Sequence, residues 1–187
     1  MLILASASPR RKEILSEHFT SFKVVVSDVD EREMKNLSPS NMSLDLAKQK
    51  GYAVFNKNSD DIVLACDTIV VFNNEIFNKP KDKEDARRML KLLSNNKHQV
   101  LSSYIIISKN IEISKTVKST VYFNDLSDEL IEQYIATGSP FDKAGAYGIQ
   151  DKGFDLVKKI NGSFNNVKGL PIEEILKDIK RYKLIIE

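Results

Sequence analysis

The sequence predicts an α/β fold in which helices flank a mixed sheet. Apolar residues recur at i, i+3, i+4 and i+7 from Ala86 to Leu93, which is the pattern of a helix with one buried face. Residues 61–72 and 111–123 are long apolar stretches rich in β-branched side chains, and such stretches predict strands. Because helical and strand-like segments alternate along the chain, the sequence indicates the α/β class.

The remaining elements follow from local signals. Strands are predicted at residues 2–5, 22–26, 61–72, 75–78, 100–108, 111–123 and 154–160. Helices are predicted at residues 9–19, 41–55, 128–136 and 172–182, and the acids of residues 82–85 open one more. Asn73-Asn74 and Lys109-Asn110 predict hairpin turns, and Gly138 ends a helix. With no repeat or low-complexity linker in view, residues 1–187 are predicted to form one domain.

Composition narrows the classes of function. The chain has 187 residues with 28 basic and 26 acidic side chains, so its net charge of +2 does not indicate a nucleic-acid partner. Cys66 is the single cysteine, which excludes an internal disulfide and fits a reducing compartment. The apolar start is too short for a signal peptide, and no stretch approaches the length of a membrane span. These features predict a cytoplasmic globular protein.

The segment Ser8-Pro9-Arg10-Arg11 follows an apolar strand and carries an electrostatic conflict. Ser8 suits a helix N-cap and Pro9 suits the first helical position. Arg10 and Arg11 then place cations at the positive end of the helix dipole. The conflict predicts a bound phosphate, and also that alanine at either arginine barely changes or even stabilises the ligand-free protein. An ordinary solvated helix face is the alternative.

Four further side chains are candidates for chemistry. Asp67 follows an apolar, strand-like stretch, and a buried carboxylate needs a partner or a metal. Glu31 lies in an acidic stretch of the kind that offers oxygen ligands to magnesium. Lys50 shares a helical face with Ala47, and Lys79 precedes a proline where it can meet a phosphate. Structural alternatives stay open for each: a capping aspartate, a solvated loop and ordinary surface lysines.

A glycine-rich stretch at residues 138–150 predicts a ligand-binding loop. Its three glycines allow a close backbone approach, Phe141 and Tyr147 can stack on a base, and Gln150 can donate and accept hydrogen bonds. Neither the P-loop nor the dinucleotide-binding glycine pattern occurs. His98 and Cys66 are expected to be structural rather than catalytic.

Taken together, these segments resemble the Maf family of nucleoside triphosphate pyrophosphatases. The matching segments extend from one end of the chain to the other: residues 4–11, 30–31, 48–50, 66–68, 78–80, 142–150 and 162–171. The resemblance implies a fold similar to the inosine triphosphate pyrophosphatases, with an elongated mixed sheet and two lobes around a cleft. It further implies hydrolysis of a nucleoside triphosphate to the monophosphate and pyrophosphate, through water attack at the α-phosphorus.

The resemblance also assigns roles to the candidate residues. Substrate binding falls to Ser6, Arg10, Arg11, Lys50, Lys79 and Gln150. Asp67 is the implied catalytic residue, and Glu31 and Asp67 are the implied ligands of a divalent cation, Mg²⁺ or Mn²⁺. Whether Asp67 acts as base or metal ligand stays open. The form of residues 142–150 resembles the branch that acts on dTTP and UTP.

Two alternative functions stay open. One is a housecleaning pyrophosphatase for non-standard purine or modified nucleotides, and the other is a nucleotide-binding regulator of septum formation. The sequence separately leaves open whether the protein forms a homodimer. The sequence departs from the family's commoner residues at Cys66, at Ser102-Ser103, at Phe164 and at Asp151, where glycine is frequent. These departures put substrate choice in question more than activity.

Overall fold

The computed structural model describes residues 1–27, 29 and 37–184, and it confirms the mixed α/β class. Seven strands occur in the described part: β1 (Leu2–Leu4), β2 (Lys23–Val24), β3 (Ile62–Phe72), β4 (Glu75–Phe77), β5 (Lys97–Ser108), β6 (Ile111–Phe123) and β7 (Val157–Asn161). Six helices accompany them: α1 (Pro9–Ser16), α2 (Pro39–Phe55), α3 (Lys83–Leu93), α4 (Asp128–Ala136), α5 (Phe164–Lys168) and α6 (Ile172–Arg181).

The strands form one mixed sheet in the order β2-β1-β3-β5-β6-β7, with β4 paired to β3. Strand β1 is parallel to both β2 and β3, and Leu4 pairs with Leu64. The β3–β4 and β6–β7 pairs are antiparallel. Asn73 and Asn74 connect β3 to β4 with positive φ values of 49° and 66°, which is the backbone of the predicted two-residue hairpin turn.

The chain divides into two compact units. The first unit comprises Met1–Thr68, Ser102–Val117 and Gly169–Glu187, and the second comprises Ile69–Leu101 and Lys118–Lys168. Each unit has its own apolar core.

The core of the first unit covers both faces of its strands. Alternate residues of β1 and β3, such as Leu4 and Leu64, pack with Ile14 of α1 and Ile175 of α6. The intervening residues of the same strands pack on the other side, against Val54 of α2. Parallel strands that are covered on both faces read as continuous apolar stretches, which is why period-2 alternation is absent from them.

In the second unit, α3 and α4 supply most of the apolar side chains of the core. Met89, Leu90 and Leu93 from α3 and Tyr134 from α4 are buried in one cluster with Val121 of β6. Ser127 caps α4 by accepting a hydrogen bond from the Leu130 amide. The bounds of α4 and β6 agree with the prediction, because a cap and a hairpin turn mark them in the sequence.

Other boundaries differ from the prediction for identifiable reasons. Strand β5 begins at Lys97 rather than residue 100, because His98 and Val100 point inward between exposed polar neighbours. Helix α1 ends at Ser16 rather than residue 19. The short helix α5 and two 3₁₀ turns, Ser139–Asp142 and Ala144–Ala146, were not predicted. No helix of the described residues is long and apolar enough to cross a membrane.

Gly51 gives a testable consequence of the packing of α2. A Cβ atom at this position would lie 2.8 Å from Cγ2 of Ile105 and 3.1 Å from Cδ1 of Ile107. The expected cost of overpacking is about 1–3 kcal/mol, whereas replacing glycine in a helix gains about 1 kcal/mol. Gly51→Ala is therefore expected to lower the thermal midpoint by a few degrees in a calorimetric scan. The exposed Gln49→Ala on the same helix serves as the control and is expected to change it little.

Candidate active site

Helix α1 begins as predicted, with Ser8 as its N-cap and Pro9 as its first residue. The Ser8 hydroxyl accepts a hydrogen bond from the Arg11 amide at 3.5 Å, and the first turn contains no acidic residue. The conflict between Arg11 and the helix dipole is therefore present in the folded protein.

The Arg11 guanidinium is held by three neutral oxygen atoms of the first unit. Its Nε donates to the Gly169 carbonyl at 2.8 Å, its Nη1 to the Ser6 hydroxyl at 3.1 Å and its Nη2 to Thr68 Oγ1 at 3.2 Å. Thr68 Oγ1 also lies 2.8 Å from Ser102 Oγ. We call these five residues, Ser6, Arg11, Thr68, Ser102 and Gly169, the Arg11 cluster. A guanidinium carries five N–H donors, so among the described residues this arrangement leaves two of them for another acceptor.

The Gly169 carbonyl is the shared acceptor of the Arg11 cluster. It accepts from Arg11, from Thr68 Oγ1 at 3.3 Å and, more weakly, from the Cys66 thiol at 3.5 Å. Gly169 has a φ of 122°, a backbone conformation that residues other than glycine rarely adopt. Gly169, in the segment 162–171 that resembles the family, therefore adopts the backbone conformation in which its carbonyl accepts a hydrogen bond from Arg11.

Asp67 forms a separate ion pair with Lys50 of α2. Lys50 Nζ lies 2.7 Å from Asp67 Oδ1, and the two side chains are only 13% and 10% exposed. The second oxygen, Oδ2, makes no hydrogen bond or ion pair with the residues that the structure describes. Asp67 thus presents one fixed oxygen and one available oxygen.

The Arg11 cluster and the Lys50–Asp67 pair each include one residue of β3, and these two residues, Thr68 and Asp67, are consecutive in the sequence. Side chains of consecutive strand residues point to opposite faces of a sheet. Thr68 lies on the face where Cys66 packs with α1 and α6, while Asp67 lies on the face covered by α2. Asp67 and Thr68 therefore place polar side chains on opposite faces of β3, directly after its apolar residues Ile62–Cys66.

Cys66 is a core residue, as expected, and not a nucleophile. Its thiol is buried, and burial raises its pKa to about 11. A thiol with that pKa is protonated at neutral pH and therefore a poor nucleophile. The nearby charges of Arg11, Asp67 and Lys50 act on this thiol as well, so all three lie within electrostatic range of Cys66.

The glycine-rich segment in the second unit differs from the predicted base-stacking loop. Tyr147 is buried rather than exposed, and its hydroxyl lies 2.8 Å from Nε2 of His98. The Tyr147 ring packs edge-on against His98 and Phe123 at 5.3 and 4.8 Å. It therefore has no free face for a base, although the expected structural role of His98 is confirmed. Burial also lowers the pKa of His98 to about 3.

The same segment contains a polar network that sequence analysis missed. Asp151 Oδ2 accepts hydrogen bonds from Tyr134 at 2.5 Å and from Ser139 at 2.6 Å. The buried Lys143 ammonium donates to Ser139 and Asp142 and lies 3.9 Å from Asp151 Oδ2. Gln150 Nε2 faces Asp151 Oδ1 at 3.4 Å. We call Tyr134, Ser139, Lys143, Gly148, Gln150 and Asp151 the Asp151 network.

The predicted site residues thus fall into several places. Ser6 and Arg11 share one cluster, Lys50 and Asp67 share one ion pair, and Arg10 is partly exposed on α1. Lys79 is exposed and Gln150 partly exposed, both in the second unit, and Glu31 lies outside the described residues. Thr68, Ser102, Gly169 and Lys143 were not predicted as site residues. The adjacency of Thr68 to Asp67 in the sequence was the available signal for the first of them.

The described residues offer few ligands to a divalent cation. They contain no group of three or more histidine, cysteine or acidic side chains that could hold a metal. Asp67 Oδ2 nevertheless supplies one hard oxygen ligand beside a charge-balancing lysine. Magnesium is commonly bound by one or two carboxylates together with substrate phosphates and water, so a single carboxylate fits this mode.

Comparison with known proteins identifies the class. The sequence model of the family described as Maf-like protein matches residues 1–182, and the chain belongs to this family. It is 43% identical over 183 residues to the dTTP/UTP pyrophosphatase of Bacillus cereus, covering 98% of this chain and 96% of that protein. It is 49% identical over 177 residues to the dTTP/UTP pyrophosphatase of Thermococcus onnurineus, covering 95% of each.

Solved structures match as well. The Staphylococcus aureus Ham1 protein superposes with a TM-score of 0.49 and 17% sequence identity, covering 83% of this chain and 79% of that one.

The contacts of Arg11 reverse one expectation from the helix dipole. Arg11→Ala leaves the Ser6, Thr68 and Gly169 oxygens without their charged donor, which costs about 1.5–3 kcal/mol, more than the roughly 0.3–1 kcal/mol that relief from the dipole returns. We expect the ligand-free variant to unfold at lower urea concentration than the wild type. Lys12→Ala, an exposed cation in the same first turn, is the control. An Arg11→Ala variant as stable as Lys12→Ala would show that the cluster contributes nothing.

Proposed function

We propose that the chain hydrolyses dTTP and UTP to the nucleoside monophosphate and pyrophosphate. Its relatives named dTTP/UTP pyrophosphatase cover at least 95% of the chain at 42–49% identity. The observation that carries the proposal is the buried Asp67 carboxylate, with Oδ1 held by Lys50 and Oδ2 available. Buried charges in proteins are paired or coordinate a metal, and the second oxygen of this ion-paired carboxylate is suited to a metal ion or to an attacking water.

Arg11 is suited to hold the substrate after its structural bonds are made. The two remaining N–H donors of its guanidinium can form a charge-assisted pair with phosphate oxygens. Its three bonds to Ser6, Thr68 and Gly169 fix the planar group in advance, so little freedom is lost on binding. Substrate binding is also assigned to Ser6, Arg10, Lys79 and Gln150.

Lys50 and Asp67 are suited to the reaction itself. Lys50 holds Oδ1 of the carboxylate and offsets its charge, and Oδ2 is the oxygen that we assign to the reaction. Both roles that the sequence leaves open for Asp67, proton acceptor from water and metal ligand, use Oδ2. Either role requires the charge of the carboxylate and its position on a rigid strand.

A divalent cation, Mg²⁺ or Mn²⁺, is part of the proposal. Bound at Asp67 and Glu31, it would neutralise phosphate charge and lower the pKa of a bound water. We assign the activity to free nucleotides in the cytoplasm, in keeping with the small net charge of +2.

Asp67→Asn tests the assignment of the catalytic carboxylate. The amide keeps the shape of the side chain but loses its charge and basicity, so turnover of UTP is expected to fall by at least about a thousandfold, within the range set by general-base and electrostatic contributions. Pyrophosphate release measures turnover, and circular dichroism checks the fold. Asp61→Asn, near the start of β3, is the matched control. Activity of Asp67→Asn within a few-fold of the wild type would reject the assignment.

The products test the reaction type. Phosphorus NMR is expected to show UMP and pyrophosphate in equal amounts from UTP, and TMP and pyrophosphate from dTTP. ATP and ITP are expected to be poorer substrates. EDTA is expected to stop the reaction, and added magnesium or manganese to restore it. Orthophosphate with UDP would instead indicate attack at the γ-phosphorus, and a preference for ITP would favour the purine-directed alternative.

A further inference from the structure

We propose that Asp151 is a positioning residue that fixes which end of the Gln150 side-chain amide faces the substrate. The inference rests on the proposed function, in which Gln150 binds substrate. The consequence is that Gln150 presents its carbonyl oxygen, a hydrogen-bond acceptor, to the nucleotide base.

The orientation of the amide follows from what a carboxylate can do. Gln150 Nε2 lies 3.4 Å from Asp151 Oδ1. An ionised carboxylate only accepts hydrogen bonds, so the NH₂ end of the amide must face Asp151 and the carbonyl end must point away from it. Reversal of the amide would place two acceptor oxygens against each other.

The carbonyl end then has an unmet requirement. Gln150 Oε1 is buried and has no hydrogen-bond partner in the described part of the chain. A buried acceptor without a donor is unfavourable by about 1–3 kcal/mol, so the position is suited to a ligand that brings an N–H group. The residues on either side of Gln150 in the chain, Ile149 and Asp151, line a cavity of about 650 Å³ in the second unit, so a ligand in this cavity would lie next to Gln150.

Asp151 itself is held firmly enough to orient its neighbour. Tyr134 donates to Asp151 and accepts from the Gly148 amide at 2.9 Å, so one phenol links the carboxylate to the backbone just before Gln150. Burial and the bond to Asp151 raise the pKa of Tyr134, which keeps the phenol a donor. A Cβ on Gly148 would lie 2.7 Å from both Asp151 oxygens, so this glycine is what allows the carboxylate to fit.

The hydrogen-bonding groups of the bases determine which nucleotides a fixed Gln150 carbonyl favours. Uracil and thymine carry an N–H donor at ring position N3, whereas N3 of cytosine is an acceptor. A fixed Gln150 carbonyl therefore favours UTP and dTTP over CTP at that position. If the amide were free to rotate, its NH₂ end would meet cytosine equally well.

The test is the ratio of kcat/KM for UTP to that for CTP, measured by pyrophosphate release. Asp151→Asn and Asp151→Ser remove the all-acceptor partner and free the amide, so the ratio is expected to fall about tenfold, the size of one lost hydrogen-bond preference. Tyr134→Phe loosens the Asp151 network but leaves the Gln150–Asp151 contact. It is expected to lower the thermal midpoint and keep the ratio. Gln133→Ala, an exposed residue of α4 next to Tyr134, is expected to change neither.

Each outcome of these measurements either supports or overturns the proposed role of Asp151. An unchanged ratio in a folded, active Asp151 variant overturns the proposal, and so does an equal fall in Tyr134→Phe, since loss of order alone would then explain the effect. Failure of both Asp151 variants to fold also overturns it, because Asp151 would then be structural. Absence of pyrophosphate release by the wild type from either UTP or dTTP would reject the proposed function instead.

Discussion

The arrangement of the candidate site depends on the guanidinium of Arg11. This one side chain bonds to residues that lie 5, 57 and 158 positions away in the sequence, so it ties the start of α1 to β3 and to the segment before α6. The cation stands against the helix dipole, but three oxygen acceptors outweigh that conflict. The sequence shows the unfavourable placement of the cation, and the structure shows that oxygen atoms of the protein offset most of its cost.

Strand β3 gives the first unit its second constraint. It is apolar from Ile62 to Cys66 because helices cover both faces, and polar groups are tolerated there only with partners. Asp67 and Thr68 meet this condition in different ways, one through an ion pair and the other through a set of hydroxyl and carbonyl groups. The Lys50–Asp67 ion pair and the Arg11 cluster therefore occupy consecutive residues of β3 without sharing a partner.

Most of the fold was predictable because its signals are local. The cap at Ser127 and the asparagines of the first hairpin each specify a boundary within a few residues of chain. The partners of the site residues were not predictable in this way. Periodicity places Lys50 on a helix face, yet nothing in its neighbourhood names Asp67, and Gly169 reaches Arg11 only through the tertiary fold. Tyr147 was misjudged because an aromatic residue in a glycine-rich segment carries no local sign of burial.

The buried contact between His98 and Tyr147 makes the second unit sensitive to acid. The pKa of His98 is about 3 in the folded protein, whereas it is near 6.5 when the ring is exposed to water. Below pH 6.5 the unfolded chain binds a proton that the folded chain refuses, so unfolding becomes easier as the pH falls towards 3. The loss amounts to roughly 1.4 kcal/mol for each pH unit. One imidazole inside an aromatic cluster thus contributes to the lower pH limit of any buffer in which the folded protein is kept.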